Sequence, residues 1–124
     1  NQPLSSVIAG MGHKDTLVVA DAGLPIPAET PRIDLALTEG VPGFLDTLRG
    51  VLMEMEVERA IVAQEMLTES PQIYEAFEAL LGDVPIETVP HGVLKEKTRS
   101  ARAVVRTGEF TPYANVILMA GVVF

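Results

Sequence analysis

Leu4, Val7, Ile8 and Met11 recur at the i, i+3, i+4, i+7 spacing of one helix face, and Gly12 stands where a left-handed cap could close that helix. Thr16–Ala20 (TLVVA) has a different pattern. It is nearly all apolar and β-branched, as a strand covered on both faces would be. Asp21-Ala22-Gly23 and then Pro25 and Pro27 end it, because proline has no amide proton for a sheet ladder. Arg32–Leu37 alternates polar and apolar residues and stops before Gly40, which predicts a half-buried strand. Phe44, Leu45, Leu48, Val51, Leu52 and Met55 fall on one face of a second helix. Val57–Ala63 is another apolar run and reads as a strand, with Glu58 and Arg59 interrupting it.

Ser70-Pro71 marks a helix start, a hydroxyl cap followed by proline at the first helical position. Ile73, Phe77, Leu80 and Leu81 give that helix its buried stripe and Gly82 its stop. Pro85–Val89 reads as a strand and His91–Ala101 as a short helix with Lys95, Lys97 and Arg99 outward. Ala103–Arg106 and Val116–Phe124 are the last two predicted strands. Helices alternating with short apolar strands predict an α/β fold, with helices packed on both faces of the sheet as a three-layer α/β/α arrangement. The proline-rich stretch after the first strand predicts a mixed sheet over a strictly parallel one. No repeat, low-complexity tract or linker divides the chain, so residues 1–124 read as one domain.

Composition narrows the partners. Asp and Glu number 17 against 9 Lys and Arg, a net charge of -8. That balance lacks the basic footprint of a nucleic-acid binder and would be repelled by anionic lipid, so neither nucleic acid nor membrane is an expected partner. The longest apolar run, Val116–Phe124, is far short of the roughly 20 residues of a spanning helix. Asn1-Gln2-Pro3-Leu4 has no basic segment and no initiator Met, and reads as a chain whose first few residues are missing, not as a signal peptide. The absence of cysteine removes disulfides, thiolate metal sites and a Cys nucleophile, and suits a reducing compartment. With 2 histidines, a His-rich metal cage is also excluded.

Ligands of open α/β sheets gather outside the carboxyl ends of strands. Asp21 and the Thr111–Asn115 segment fit that position, whereas Gly12-His13-Lys14-Asp15 lies at the opposite end of the first strand. Other contacts, those of a neighbouring subunit among the options, would have to bring the two groups together. His13 reads either as a surface or helix-capping histidine or as a general acid/base, since imidazole titrates near ~6.5. Asp21 reads either as an Asx-turn or as an acceptor for hydroxyls. Gly23 stands where an aspartyl-nucleophile hydrolase would carry a second Asp. His91 follows Pro90 and reads by position as a cap or solvent residue. Tyr113 and Asn115 lie two apart, so an extended segment would turn both to one side, with Ala114 offering backbone groups between them. Glu54, Glu56 and Glu58 read as solvated charge. No phosphate-binding glycine loop, metal helix or nucleophile elbow is present, so no cofactor is expected.

Gly12-His13-Lys14-Asp15-Thr16, Val19 to Pro27 (VADAGLPIP), Arg106-Thr107-Gly108-Glu109 and Pro112-Tyr113-Ala114-Asn115 together resemble the ribose pyranase/fucose mutarotase family over essentially the whole chain, as do Arg32-Ile33-Asp34 and Gly40-Val41-Pro42. The DAGLPIP segment favours the ribose branch. The resemblance implies an isomerase that interconverts the β-pyranose and β-furanose forms of D-ribose without metal or organic cofactor. It also implies a cytoplasmic homo-oligomer, a decamer of two pentameric rings, with pockets near subunit contacts. It places His13 at the family's catalytic proton-donor position and Asp21, His91, Tyr113, Ala114 and Asn115 at its sugar-binding positions, with Gly92 where the family usually has an acidic residue. Opening a cyclic hemiacetal needs one proton delivered to the ring oxygen and one removed from the anomeric hydroxyl. Asp21, His91, Tyr113 or water could take the second. The alternatives are a mutarotase for fucose or another sugar, and a sugar-binding oligomer without catalysis.

Overall fold

The computed structural model describes residues 1–122. Six strands form one sheet: β1 (Thr16–Ala20), β2 (Arg32–Asp34), β3 (Val57–Ala63), β4 (Ile86–Val89), β5 (Ala103–Arg106) and β6 (Val116–Ala120), in the order β2-β5-β1-β6-β3-β4. The helices are α1 (Gln2–Ala9), α2 (Phe44–Leu52), α3 (Gln64–Glu69), α4 (Pro71–Leu81) and α5 (His91–Lys97), the last continued by a 3₁₀ turn over Thr98–Ser100. The end of the predicted last strand, residues 123–124, lies outside the described residues.

Alternation along β1 builds the layers. Leu17 and Val19 point into a large cluster with Phe44, Leu48, Met66 and Phe77 from α2, α3 and α4. Val18 and Ala20 point the other way, into a smaller cluster with Leu24, Leu94 and Ala101. Helices therefore cover both faces, as the alternating pattern predicts; among the described residues the second is covered by α5, Ala101 and the Leu24 loop. Phe44 and Phe77 are fully buried with ring centroids 6.2 Å apart, and emptying either site would cost about 3–5 kcal/mol.

The sheet is mixed, for a reason other than the one expected. The proline-rich stretch carries the chain from β1 to β2, yet both run parallel to β5 between them. The reversed element is β6, antiparallel to β1 and to β3. Its amino end therefore lies with the carboxyl ends of β1, β3, β4 and β5.

Several boundaries shift. α1 closes at Gly10, whose amide reaches back to Ser6 and Val7 carbonyls, while Gly12 donates its amide to Asp15 instead of capping. β2 stops at Asp34 because its carboxylate accepts the Ala36 amide and turns the chain away. Ser70 precedes α4, but its hydroxyl donates to the Pro112 carbonyl at 2.5 Å and does not cap. α3 follows β3 directly, with no side-chain cap and only Met66 buried, so no sequence pattern announced it.

Gly108 joins the Leu37–Val41 turn to the loop after β5. Its carbonyl accepts the Gly40 amide at 2.6 Å and its amide donates to Pro42 at 2.8 Å. A Cβ there would sit 2.5 Å from the Thr38 carbonyl oxygen and 2.6 Å from that of Val41. Backbone on both sides cannot yield as a side chain can. Gly108→Ala is expected to cost about 1–3 kcal/mol and lower the melting temperature by about 4–12 °C. Thermal denaturation checks this; an unchanged midpoint would contradict the close approach.

Candidate active site

The reversal of β6 brings the segments after β1, after β4 and between β5 and β6 to one edge of the sheet. They enclose a cavity of about 470 Å³ lined by Asp21, Leu24, His91, Arg106, Glu109, Phe110 and Tyr113, among others. Asp21 follows β1, His91 opens α5 after β4, Arg106 ends β5, and Tyr113 precedes β6. This is the carboxyl edge, where open α/β sheets place ligands.

Asp21 and Asn115 hold each other. The Asp21 amide donates to Asn115 Oδ1 at 2.7 Å, and Asn115 Nδ2 donates back to Asp21 Oδ2 at 3.1 Å. The Gly23 amide donates to Asp21 Oδ1 at 3.0 Å, the Asx-turn geometry expected of this residue. Burial pushes the Asp21 carboxyl above its ordinary value, and the bonds from Gly23 and Asn115 only partly offset it. The result is a carboxyl whose charged form is disfavoured beside a cavity.

Tyr113 and Asn115 do not share one side of an extended segment. Tyr113 has φ 64°, and the Asn115 amide donates to the Tyr113 carbonyl at 2.9 Å, so the segment is a turn. The Tyr113 ring joins the cavity wall, edge-on to His91 with centroids 5.0 Å apart. Ala114 and the Asn115 side chain go beneath the wall, fully buried.

His91 is set by a group that no sequence signal marked. Its amide donates to both Glu65 oxygens, at 3.0 and 3.3 Å, from the first turn of α3. Its Nδ1 is buried without a hydrogen-bond partner among the described residues. A buried, unpaired ring nitrogen on a cavity wall is suited to a polar ligand.

Arg106 and Glu109 clamp the Asp21 turn. Arg106 Nε donates to the Ala22 carbonyl at 3.0 Å, while its Nη1 reaches the Asp34 oxygens at 3.1 and 3.2 Å. The Ala22 amide donates to the Glu109 carbonyl at 2.8 Å. The Glu109 carboxylate accepts the Phe44 amide at the start of α2, at 3.0 Å, and the Thr111 hydroxyl at 2.6 Å. It stands in for the cap that Gly43 cannot supply and faces the positive end of the helix dipole. Burial pushes this carboxyl up, but the bonds from Thr111 and Phe44 outweigh it and hold it below its ordinary value. Both residues lie in quoted motifs, but their roles depend on long-range contacts.

His13 is elsewhere. The loop from α1 to β1 holds it at the opposite edge, where the Lys14 amide donates to the Ala120 carbonyl. The five residues of β1 put roughly 17 Å of strand between this edge and the cavity. His13 Nε2 lies 3.0 Å from Glu58 Oε2, and Lys14 Nζ lies 3.4 Å from Glu58 Oε1. Glu58 is thus the partner of a candidate acid/base, not the solvated charge expected from its neighbours. Among the described residues no group of three or more His, Asp or Glu is placed to hold a metal ion, and no helix is long and apolar enough to cross a membrane.

Comparison with known proteins adds an independent line. The RbsD / FucU transport protein family matches residues 1–123. The D-ribose pyranase of Coprothermobacter proteolyticus is 56% identical over 124 residues, covering 100% of this chain and 95% of that protein. The D-ribose pyranase of Geobacillus thermodenitrificans is 52% identical, covering 100% and 94%. Bacillus subtilis RbsD complexed with D-ribose superposes with a TM-score of 0.98 at 45% identity, covering 100% of this chain and 95% of that one. The fucose mutarotase of Streptococcus pneumoniae, in complex with L-fucose, gives 0.86 at 26% identity, covering 100% and 94%.

The environment of Asp21 has a measurable consequence. A carboxyl raised above its ordinary 3.8 binds its proton more tightly in the folded chain than in the unfolded one. Stability from this group is therefore fully present below the unfolded value and is lost as pH rises through the folded one. Asp21→Asn cannot titrate. Its stability relative to the parent chain should increase as pH rises from about 3 to about 7, read from urea midpoints of both proteins. The opposite trend would show that the Gly23 and Asn115 bonds outweigh burial.

Proposed function

The chain belongs to the RbsD / FucU family, and from that membership and the cavity at the carboxyl edge we propose that it is a D-ribose pyranase, an isomerase interconverting β-D-ribopyranose and β-D-ribofuranose. The observation that carries this reading is the 56% identity to a D-ribose pyranase along the full chain. The site chemistry supports it. Asp21 offers a carboxyl held by two backbone or amide donors, His91 a buried unpaired nitrogen, and Tyr113 a ring on the cavity wall. A site that pairs sugar hydroxyls this way also disfavours analogues that leave those groups unpaired. Asn115 contributes from beneath by orienting Asp21, and Ala114, at a sugar-binding position by the resemblance, is buried beside it.

In this reading His13 is the proton donor. It gives a proton to the ring oxygen as the bond from that oxygen to the anomeric carbon breaks, and a second group takes the anomeric hydroxyl proton. The ring then closes through another hydroxyl with the proton movements reversed. General acid/base catalysis contributes about 10²–10⁴-fold, enough for a hemiacetal that opens slowly on its own. Because His13 and the cavity of one chain lie at opposite edges of the sheet, the acid is supplied by a neighbouring copy. This agrees with the homo-oligomer implied by the resemblance, a decamer of two pentameric rings, and a cytoplasmic setting fits a chain without cysteine. A fucose mutarotase is the second reading, favoured by the fold shared with the Streptococcus pneumoniae enzyme.

Saturation-transfer NMR on the anomeric signals tests both. The protein should accelerate pyranose–furanose exchange of ribose more than the anomeric exchange of fucose, and His13→Ala should lower the ribose rate by about 10²-fold or more. Equal or faster action on fucose would favour the second reading. Unchanged exchange in His13→Ala would remove His13 from the mechanism.

Co-assembly tests the shared site. Oligomers mixed from inactive His13→Ala and inactive Asp21→Asn subunits should regain activity, because some cavities then pair an intact Asp21 with an intact His13. No recovery in verified mixed oligomers would contradict a site built from two copies.

A further inference from the structure

Glu58 has no opposite residue on β6. Pairing passes from Val57↔Ala120 to Arg59↔Met119, which makes Glu58 the extra residue of a β-bulge. A bulge breaks the in-out alternation of a strand and re-aims a side chain, and bulges concentrate beside functional sites. The end of β6 ties this bulge to the His13 loop. Ala120 accepts the Lys14 amide at 2.9 Å and donates its own amide to Asp15 at 2.8 Å, and the Gly121 amide donates to the Glu56 carbonyl at 2.9 Å. Gly121 lies directly against Glu58, where a Cβ would come within 3.4 Å of the Glu58 Cβ. Asp15 in turn accepts the Gly12 amide and Arg102, both at 2.8 Å, so the loop is braced on either side of His13.

We propose that Glu58 is a positioning residue for His13: it accepts the Nε2 proton, fixes that tautomer and ring rotation, and leaves Nδ1 as the nitrogen that exchanges a proton with the sugar. The inference rests on the reading of His13 as the acid/base. An ionised carboxylate can only accept, so Nε2 at 3.0 Å is the donor of the pair. The His13 bond is the largest influence holding the Glu58 carboxyl below its ordinary value, with Lys14 adding to it, so the acceptor stays charged. The pair is part-exposed, with side-chain accessibilities of 45% and 33%, which leaves the other edge of the imidazole free to enter a neighbouring cavity. In the imidazolium form Nδ1–H protonates the ring oxygen as the ring bond to the anomeric carbon breaks and the anomeric hydroxyl proton passes to a base, leaving the neutral Nε2–H tautomer. On closure the base returns its proton to the carbonyl oxygen and Nδ1 takes one from the hydroxyl that closes the ring, while Nε2–H stays on Glu58 throughout.

The test combines ribose exchange kinetics with two-bond ¹⁵N–¹H correlation spectra of histidine-labelled protein. The parent protein should show neutral His13 protonated on Nε2. Glu58→Ala should give a mixture of tautomers and a kcat lower by about ten-fold, with KM unchanged. Glu58→Gln keeps an acceptor without the charge and should keep the Nε2 tautomer with an intermediate kcat. Parent-like exchange and an unchanged tautomer in Glu58→Ala, with His13→Ala inactive, would overturn the role of Glu58 alone. Parent-like exchange in His13→Ala would instead overturn the reading beneath it.

Discussion

His13 and Asp21 stand at opposite ends of the same five-residue strand. A β-strand is stiff and extended, and β1 lies in the middle of the sheet, paired with β5 on one side and β6 on the other. No side-chain rearrangement within one chain can close that separation. The proposed proton donor and the proposed sugar cavity must therefore meet across two copies. In the proposed mechanism assembly is then a condition of catalysis and not an addition to it.

Each edge is made rigid by its own contacts. At the cavity, Asn115 turns Asp21, Arg106 and Glu109 grip Ala22, and Glu65 seats the His91 amide. Two of these, from Arg106 and to Glu65, are charge-assisted bonds to backbone, and together the four present fixed acceptors and donors. At the other edge the bulge at Glu58 and the Asp15–Arg102 pair do the same for His13. Preorganisation of this kind matters for a reaction with modest intrinsic demands, because correct placement of two proton-transfer groups supplies most of what the protein can add.

Much of the fold was legible in the sequence. Thr16–Ala20, Val57–Ala63 and Ala103–Arg106 occur with the predicted bounds, because buried strands are continuous apolar runs. The Phe44–Leu52 helix follows its stripe, and Gly82 stops α4 with φ 60°. The direction of β6 was not legible, since an apolar run reads alike both ways. α3 carries neither cap nor stripe. At the carboxyl edge, Asp21, His91 and Tyr113 line one cavity. Asn115 is placed differently, because the left-handed backbone at Tyr113 breaks the two-residue alternation on which its expected direction relied. Glu58 and Glu65 acquire partners only through pairings 45 and 26 residues away, which no local pattern encodes.

The mechanism is decided by which chain's imidazole reaches the sugar. A crystal structure of the assembled protein soaked with ribose measures it directly. The expected complex has Nδ1 of a neighbouring copy's His13 within hydrogen-bond distance of the ring oxygen, with the sugar hydroxyls on Asp21 and His91 of the first chain. A sugar held in that cavity with every His13 imidazole turned away from it would contradict the account.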